Sequence, residues 1–186
     1  FLLHCPLIFA DWQEQLVAAA LERTKHNVTY DGRYITIPYP NGDVPANIGV
    51  CTDVVVRAYR QLGVDLQQLV HEDMSAAFSQ YPNFWSLDEP DSNIDHRRVP
   101  NLQTFFKRHD VALEVTDDPS DYKPGDIVSW LLGGRLPHIG IVVADQAPNG
   151  NPLIVHNIGA GPQKEDFLFG AKITGHYRFI PINTTY

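Results

Sequence analysis

Apolar residues recur every three to four positions in four segments of the chain, which predicts four helices. These segments are residues 11–23, 50–62, 66–78 and 102–109. In the last third of the chain, shorter apolar runs lie between turns rich in glycine, proline and asparagine, which is typical of strands. The predicted strands are residues 127–132, 138–143, 153–157 and 175–180. Helices followed by neighbouring short strands predict an α+β fold with an antiparallel meander.

Cys51 lies in the first turn of the second predicted helix, which stops at Gly63. The positive end of the helix dipole and the unpaired backbone N–H groups of a first turn both favour a thiolate over a thiol. These effects make Cys51 a candidate nucleophile. A buried structural cysteine is the alternative, because free cysteine is among the most buried residue types.

Two histidines lie at the ends of predicted strands that are neighbours in the meander. His138 begins one strand and His156 lies near the end of the next, so both are expected at the same end of the sheet. A histidine beside a thiol can act as general base, and a polar group on its far nitrogen sets its tautomer. The pattern predicts a site of Cys51, His138 and His156. Asn157 is the substitute for the third position, because a shift of one residue turns a strand side chain to the other face.

Length, composition and charge narrow the class of protein. The chain has 186 residues, of which 44% are hydrophobic, and this fits one globular domain. Its formal net charge of −8 argues against nucleic acid or anionic membrane as the main partner. No apolar run is long enough to cross a membrane.

The first ten residues are apolar and give way to an amphipathic helix pattern. They look like the trailing half of a secretory signal, with the small residue Ala10 at the cleavage position. We therefore expect a signal remnant at residues 1–10, a single domain at residues 11–186, and a periplasmic or secreted protein. Cys5 would leave with the signal. A first strand or buried arm of the mature fold is the alternative.

Residues 91–102 begin like a calcium loop, but His96 and Leu102 stand where that loop needs Gly and Glu. The sequence therefore predicts no calcium there, and no cofactor elsewhere. In the same segment, Arg97 and Arg98 are candidates to clamp a substrate carboxylate, because guanidinium matches that group in a two-point fork. Pairing of these arginines with nearby aspartates is the alternative.

The segment before Cys51 has loop composition and carries three tyrosines at positions 30, 34 and 39. Tyr39 is the tyrosine we select to contact substrate, and Asn157 is a further candidate. The alternative is that the tyrosines only anchor the loop to the core.

Four ordered pieces of the sequence resemble the signature of NlpC/P60-type papain-like cysteine peptidases. They are Cys51 opening a helix, Lys-Pro-Gly-Asp-Ile-Val-Ser-Trp at 123–130, Pro-His-Ile-Gly-Ile-Val-Val at 137–143 and Ile-Val-His-Asn at 154–157. The resemblance covers residues 47–157. Three pieces are also similar to an uncharacterised bacterial branch of that superfamily: Cys-Thr-Asp at 51–53, Asn-Ile-Asp-His-Arg-Arg-Val-Pro at 93–100 and His-Asn-Ile-Gly at 156–159.

This resemblance implies a papain-like α+β fold in which the nucleophile helix packs on a small antiparallel sheet, with extra helices and loops. By similarity Cys51 is the nucleophile, His138 the general base and His156 the orienting third residue. The chain departs from the familiar pattern around Cys51, where an acidic residue should precede and Ser-Gly should follow. This departure concerns substrate specificity more than chemistry. We expect Asp53 to cap the helix or to form a salt bridge.

The function implied by the resemblance is that of an exported bacterial amide hydrolase, a monomer without cofactor that cleaves peptidoglycan stem peptides. Three alternatives stay open at this point. The same superfamily fold is associated with acyl transfer and with thioester or lipid cleavage. A non-catalytic wall-binding module would need no reactive thiol, and Cys51, His138 and His156 together would suit a zinc ion.

Overall fold

The computed structural model describes residues 6–181 and is α+β, as predicted. Within this range the helices are α1 Pro6–Arg23, α2 Cys51–Gln61, α3 Leu66–Ala77 and α4 Val99–Arg108. All four predicted helices are confirmed, although α1 and α4 begin earlier than the periodicity indicated. Residues 1–5 of the predicted signal remnant, with Cys5, lie outside the described residues. None of the helices within 6–181 is long and apolar enough to cross a membrane.

The strands form a short parallel pair and one antiparallel sheet. The pair consists of β1 Thr29–Tyr30 and β2 Ile48–Gly49, directly before α2. The sheet consists of β3 Ala112–Leu113, β4 Ile127–Leu132, β5 Leu136–Gln146, β6 Pro152–His156, β7 Gln163–Glu165 and β8 Lys172–Tyr177. Its order is β3-β8-β4-β5-β6-β7. The predicted antiparallel meander is confirmed for β4, β5 and β6. The fourth predicted strand, at 175–180, corresponds to β8, which begins earlier and lies beside β4. The strands β3 and β7 are too short to be visible in the sequence pattern.

The central strands are apolar on both sides because each face of the sheet covers a core. Alternate residues of β5, such as Ile139 and Ile141, join the main core with the helices. Trp130 and Val142 point the other way, into a smaller cluster under the 167–173 loop. The apolar side of α2, including Val55, is buried in the main core. This packing holds the first turn of α2 against β5 and so sets the position of Cys51.

Candidate active site

Cys51 begins α2 and lies on the floor of a cleft of about 1150 Å³. Cys51 is 5% exposed, and within the described chain it is a free cysteine. Hydrogen bonding from the backbone N–H groups of Ile139, Thr52 and Cys51 itself acts on the thiol. Since Ile139 directly follows His138, the thiol lies beside the start of the β5 segment that carries this histidine. The structure thus places the backbone next to His138 against Cys51, and the action of the His138 ring on the thiol stays a prediction.

Burial raises the pKa of the Cys51 thiol to about 12, and the three backbone N–H groups lower it by less. The nearby charge of Asp53 raises it further. The helix dipole and the N–H groups favour a thiolate, but desolvation, which the sequence does not reveal, disfavours the charged form by more. Cys51 therefore rests as a thiol, and a base is needed to remove its proton.

Three side chains on neighbouring strands, those of His138, His156 and Glu165, form a hydrogen-bonded chain. His138 Nε2 lies 2.7 Å from His156 Nδ1, and His156 Nε2 lies 2.8 Å from Glu165 Oε2. An ionised carboxylate only accepts, so His156 carries its proton on Nε2 and accepts on Nδ1 from the Nε2–H of His138. The tautomer of His138 that follows has its lone pair on Nδ1. This is the protonation state that a general base for Cys51 requires.

The strand register explains how the two histidines meet. Gly140 pairs with His156 across β5 and β6, so His138, two residues earlier on the same face, lies diagonal to His156. A Cβ at position 140 would lie 2.8 Å from Ile154 Cγ2 and 3.0 Å from His156 Cβ. The absence of a side chain at Gly140 therefore leaves room for the two imidazole rings. Glu165 pairs with Ile154 and reaches His156 by the same diagonal on β7.

The histidine pair is enclosed by apolar rings. The ring centres of Trp130 and Phe167 lie within 6 Å of the ring centre of His138. The ring centre of Phe167 also lies 4.7 Å from that of His156. Desolvation lowers the pKa of His138 to about 3, and proximity to His156 adds to the shift. Burial also lowers the pKa of His156, although Glu165 opposes this. Both rings are neutral at pH 7, which leaves His138 able to accept a proton.

The geometry argues against the alternative of a zinc site. His138 Nε2 and His156 Nδ1 are too close for both to ligate one zinc ion, since two ligands about 2.1 Å from a tetrahedral metal lie more than 3 Å apart. Among the described residues, no hydrogen bond joins the Cys51 thiol to the His138 ring. Such catalytic hydrogen bonds are commonly long before substrate binds and tighten afterwards.

Arg97 lines the cleft but directs its charged fork into the protein. Its Nε and Nη2 each lie 2.9 Å from a carboxylate oxygen of Asp53, and both side chains are almost fully buried. Asp53 also accepts the N–H of Val50 at 2.6 Å, which confirms that it both caps α2 and forms a salt bridge. The predicted role of Arg97 as a carboxylate clamp is therefore corrected: its donors are already used to hold the start of α2.

Replacing Arg97 by methionine is expected to lower the free energy of unfolding by about 3 kcal/mol, because it leaves the Asp53 carboxylate buried without its partner. Urea denaturation followed by circular dichroism measures the change. The Lys25→Met variant is the control, because its ion pair with Glu22 is exposed and its loss is expected to leave the free energy of unfolding almost unchanged. Equal stability of the two variants would show that the buried pair does not hold this region.

Arg98 fits the predicted binding role better than Arg97. It lines the cleft, its Cζ lies 3.9 Å from the centre of the Trp85 ring, and its Nη1 has no hydrogen-bond partner. The nearest carboxylate contact, to Asp95, is 4.0 Å long. Arg98 therefore keeps unused donors next to the cleft, and its role in binding stays a prediction.

The other two predicted binding residues lie away from the cleft lining. Tyr39 packs edge-on against His71 and points its hydroxyl towards Glu72, 3.5 Å away. Asn157 is fully buried, where its amide donates to Gly49 and accepts from the N–H of Gly159. Tyr39 thus anchors a loop, and Asn157 supports a turn. Their selection as cleft residues is corrected, since sequence cannot show which side of a loop faces the site.

Two residues that the sequence argument did not select lie at the site. Tyr30 lines the cleft beside Cys51, and burial followed by the nearness of that thiol raises its pKa to about 12. Its hydroxyl therefore stays protonated and able to donate. Glu165 ends the histidine chain, but it lies in a short polar strand with no apolar alternation to reveal it. Only the glycine and proline before that strand hinted at a turn that could bring it back to β6.

Comparison with known proteins places the chain in a family without assigning it an activity. A family described as a domain of unknown function, DUF1287, matches residues 17–179. The Escherichia coli (strain K12) protein described as "Uncharacterized protein YijF" is 53% identical over 173 residues, which cover 93% of this chain and 81% of that protein. No solved structure matches. On the extent of both matches, the chain belongs to the DUF1287 family.

Proposed function

We propose that this protein is a cysteine-dependent amide hydrolase with a papain-like fold, exported to act on peptidoglycan stem peptides. One observation carries the proposal: a buried thiol at a helix N-terminus lines a large cleft and accepts from the backbone N–H of Ile139, the residue after the histidine that begins an imidazole–imidazole–carboxylate chain. Nucleophile, base and orienting group are the three parts that thiol catalysis needs. The substrate class and the export come from the sequence resemblance and are part of the proposal.

The proposed reaction has two steps. Cys51 Sγ attacks the amide carbonyl carbon while its proton passes to His138 Nδ1, and His138 then gives that proton to the departing amine as the C–N bond breaks. Water, deprotonated by His138, attacks the resulting thioester, which releases the acid and restores the thiol. His156 and Glu165 hold His138 in the required tautomer and stabilise the positive charge that it gains.

Two donors are suited to the oxyanion that forms in each step. The backbone N–H of Cys51 has no intrahelical acceptor, because it lies in the first turn of α2. The Tyr30 hydroxyl is the second, since it lies beside the thiol and stays protonated. Preorganised donors of this kind typically contribute more than other single groups to acyl transfer.

The test is a product analysis with a matched variant. Wild type and Cys51→Ala are incubated with purified peptidoglycan fragments and with a set of amide, ester and thioester substrates, and the products are identified by mass spectrometry. We expect one C–N bond of a stem peptide to be cleaved by wild type alone. Equal cleavage by the variant would contradict thiol catalysis, and turnover confined to thioesters would reassign the site to acyl transfer.

A further inference from the structure

The Cys51 cleft concentrates positive charge in a chain whose net charge is −8. Its charged lining residues are Arg97, Arg98, Lys107 and Arg135, and none of the described lining residues is acidic. Asp53 neutralises Arg97. Within the described chain, Lys107 and Arg135 take part in no ion pair. Such a lining favours an anionic ligand, because an acidic protein would otherwise repel one.

One wall of this cleft is a single polar face of α4. Its lining residues follow the helical spacing i, i+3, i+4 and i+7: Pro100, Gln103, Thr104 and Lys107. The opposite side of α4, with Leu102 and Phe106, is buried in the main core. Arg98 directly precedes the helix, so it lies about 13 Å from Lys107 along the axis. The two cations are thus carried by one anchored element at a set spacing.

Arg98 is prepared to bind a carboxylate. Its guanidinium stacks on Trp85, which occupies the face of the group and leaves the in-plane N–H donors available. Its buried Nη1 faces Asp95 Oδ1 at 4.0 Å and so fixes the inner side of the guanidinium. Within the described chain, Nε and Nη2 of Arg98 take part in no hydrogen bond, so these are the donors that a carboxylate in the cleft would use.

We propose that the cleft is an acidic-peptide subsite, in which Arg98 binds one carboxylate of an extended substrate while Lys107 and Arg135 bind another. The spacing of about 13 Å corresponds to roughly four residues of extended chain. This inference rests on the proposed hydrolase and names its substrate class: peptide-like chains with at least two carboxylates near the scissile amide. Arg98 at the residue before α4, Lys107 on α4 and Arg135 in the β4–β5 turn carry the selectivity.

The test measures binding of two blocked pentapeptides, one with glutamate at both ends and one with glutamine at both ends, by isothermal titration calorimetry at low salt. The acidic peptide is expected to bind at least about tenfold more tightly to the wild-type protein. The double variant Arg98→Gln/Lys107→Gln is expected to lose that preference. Lys25→Gln, which removes one positive charge outside the cleft, is expected to keep it.

Equal binding of the two peptides to wild type, or no binding of either, would overturn the subsite. A preference that survives in the double variant would overturn it as well, and circular dichroism confirms that this variant is folded. Because binding needs no reactive thiol, these outcomes leave the hydrolase proposal untouched. Conversely, a preference for the acidic peptide in a protein that cleaves no amide would keep the subsite and refute the hydrolase.

The thiol itself offers a second measurement. Iodoacetate and iodoacetamide differ mainly in charge, so the ratio of their labelling rates at Cys51 reports the potential in the cleft. We expect this ratio to fall by about threefold to tenfold in the double variant and to stay unchanged in Lys25→Gln. An unchanged ratio in both variants would show that the cleft cations do not act on ligands at Cys51.

Discussion

At pH 6, replacing His138 by glutamine is expected to slow iodoacetamide labelling of Cys51 by at least about 100-fold, the usual contribution of a positioned general base. Burial raises the pKa of the thiol to about 12 and lowers the pKa of His138 to about 3. At any pH between these two pKa values, Cys51 and His138 together hold one proton. Moving that proton from sulfur to nitrogen does not change the net charge of the pair. Mass spectrometry of the labelled peptide gives the rate.

The pH profile distinguishes this pair from an ordinary cysteine. Wild-type labelling is expected to vary little between pH 5 and 8, because the protonation of the pair does not change there. In His138→Gln the rate is expected to rise about tenfold for each pH unit, as it does for a lone thiol below its pKa. A wild-type profile with the same slope as the variant would refute the Cys51–His138 pair and favour a structural cysteine.

Replacing His156 by leucine is expected to slow both labelling and amide turnover by about 10²-fold to 10⁴-fold, the range seen when an orienting group is removed. Leucine leaves the His138 Nε2–H buried without an acceptor, so the ring loses both its orientation and its preferred tautomer. The matched variant His156→Gln keeps an acceptor oxygen and is expected to remain within about tenfold of wild type. Glu165→Gln tests the outer end of the hydrogen-bonded chain and is expected to slow both labelling and amide turnover by about tenfold.

A readout of tautomers separates positioning from mere stability. Nitrogen-15 NMR shifts of the imidazole rings report which nitrogen carries the proton, and in wild type we expect Nε2–H on both His138 and His156. In His156→Leu the tautomers of His138 are expected to mix. If this variant loses activity while His138 keeps its Nε2–H tautomer, the orienting role of His156 is wrong.

Much of the fold could be predicted because buried residues recur along the sequence with the period of a helix or a strand. The buried side of α2 and the strands β4 and β5 appear as apolar runs of helical or strand character, and their ends fall within a few residues of the prediction. The strands β3 and β7 could not be found in this way, because strands of two or three residues at a sheet edge are too short to carry a periodic signal.

The candidate site shows the same division. Cys51, His138 and His156 could be selected as candidates from the sequence, because each lies at an end of a strongly patterned element. It did not find Glu165 or Tyr30, which lie in short strands, and it selected Tyr39 and Asn157, which face elsewhere. Loop orientation depends on contacts such as that of Tyr39 with His71, which no local pattern records.

The sequence by itself determined the α+β class, the helix that carries Cys51 and the strands that carry the two histidines, because local periodicity and turn chemistry specify these. Only the tertiary structure decided the protonation of the site and the partners of its charges. The diagonal register at Gly140 joins His138 to His156, and burial makes Cys51 a thiol where the helix dipole alone favoured a thiolate. The ion pair between Arg97 and Asp53 likewise forms only in the folded structure. Desolvation and ion pairing depend on residues distant in the chain, so their balance exists only once the chain has folded.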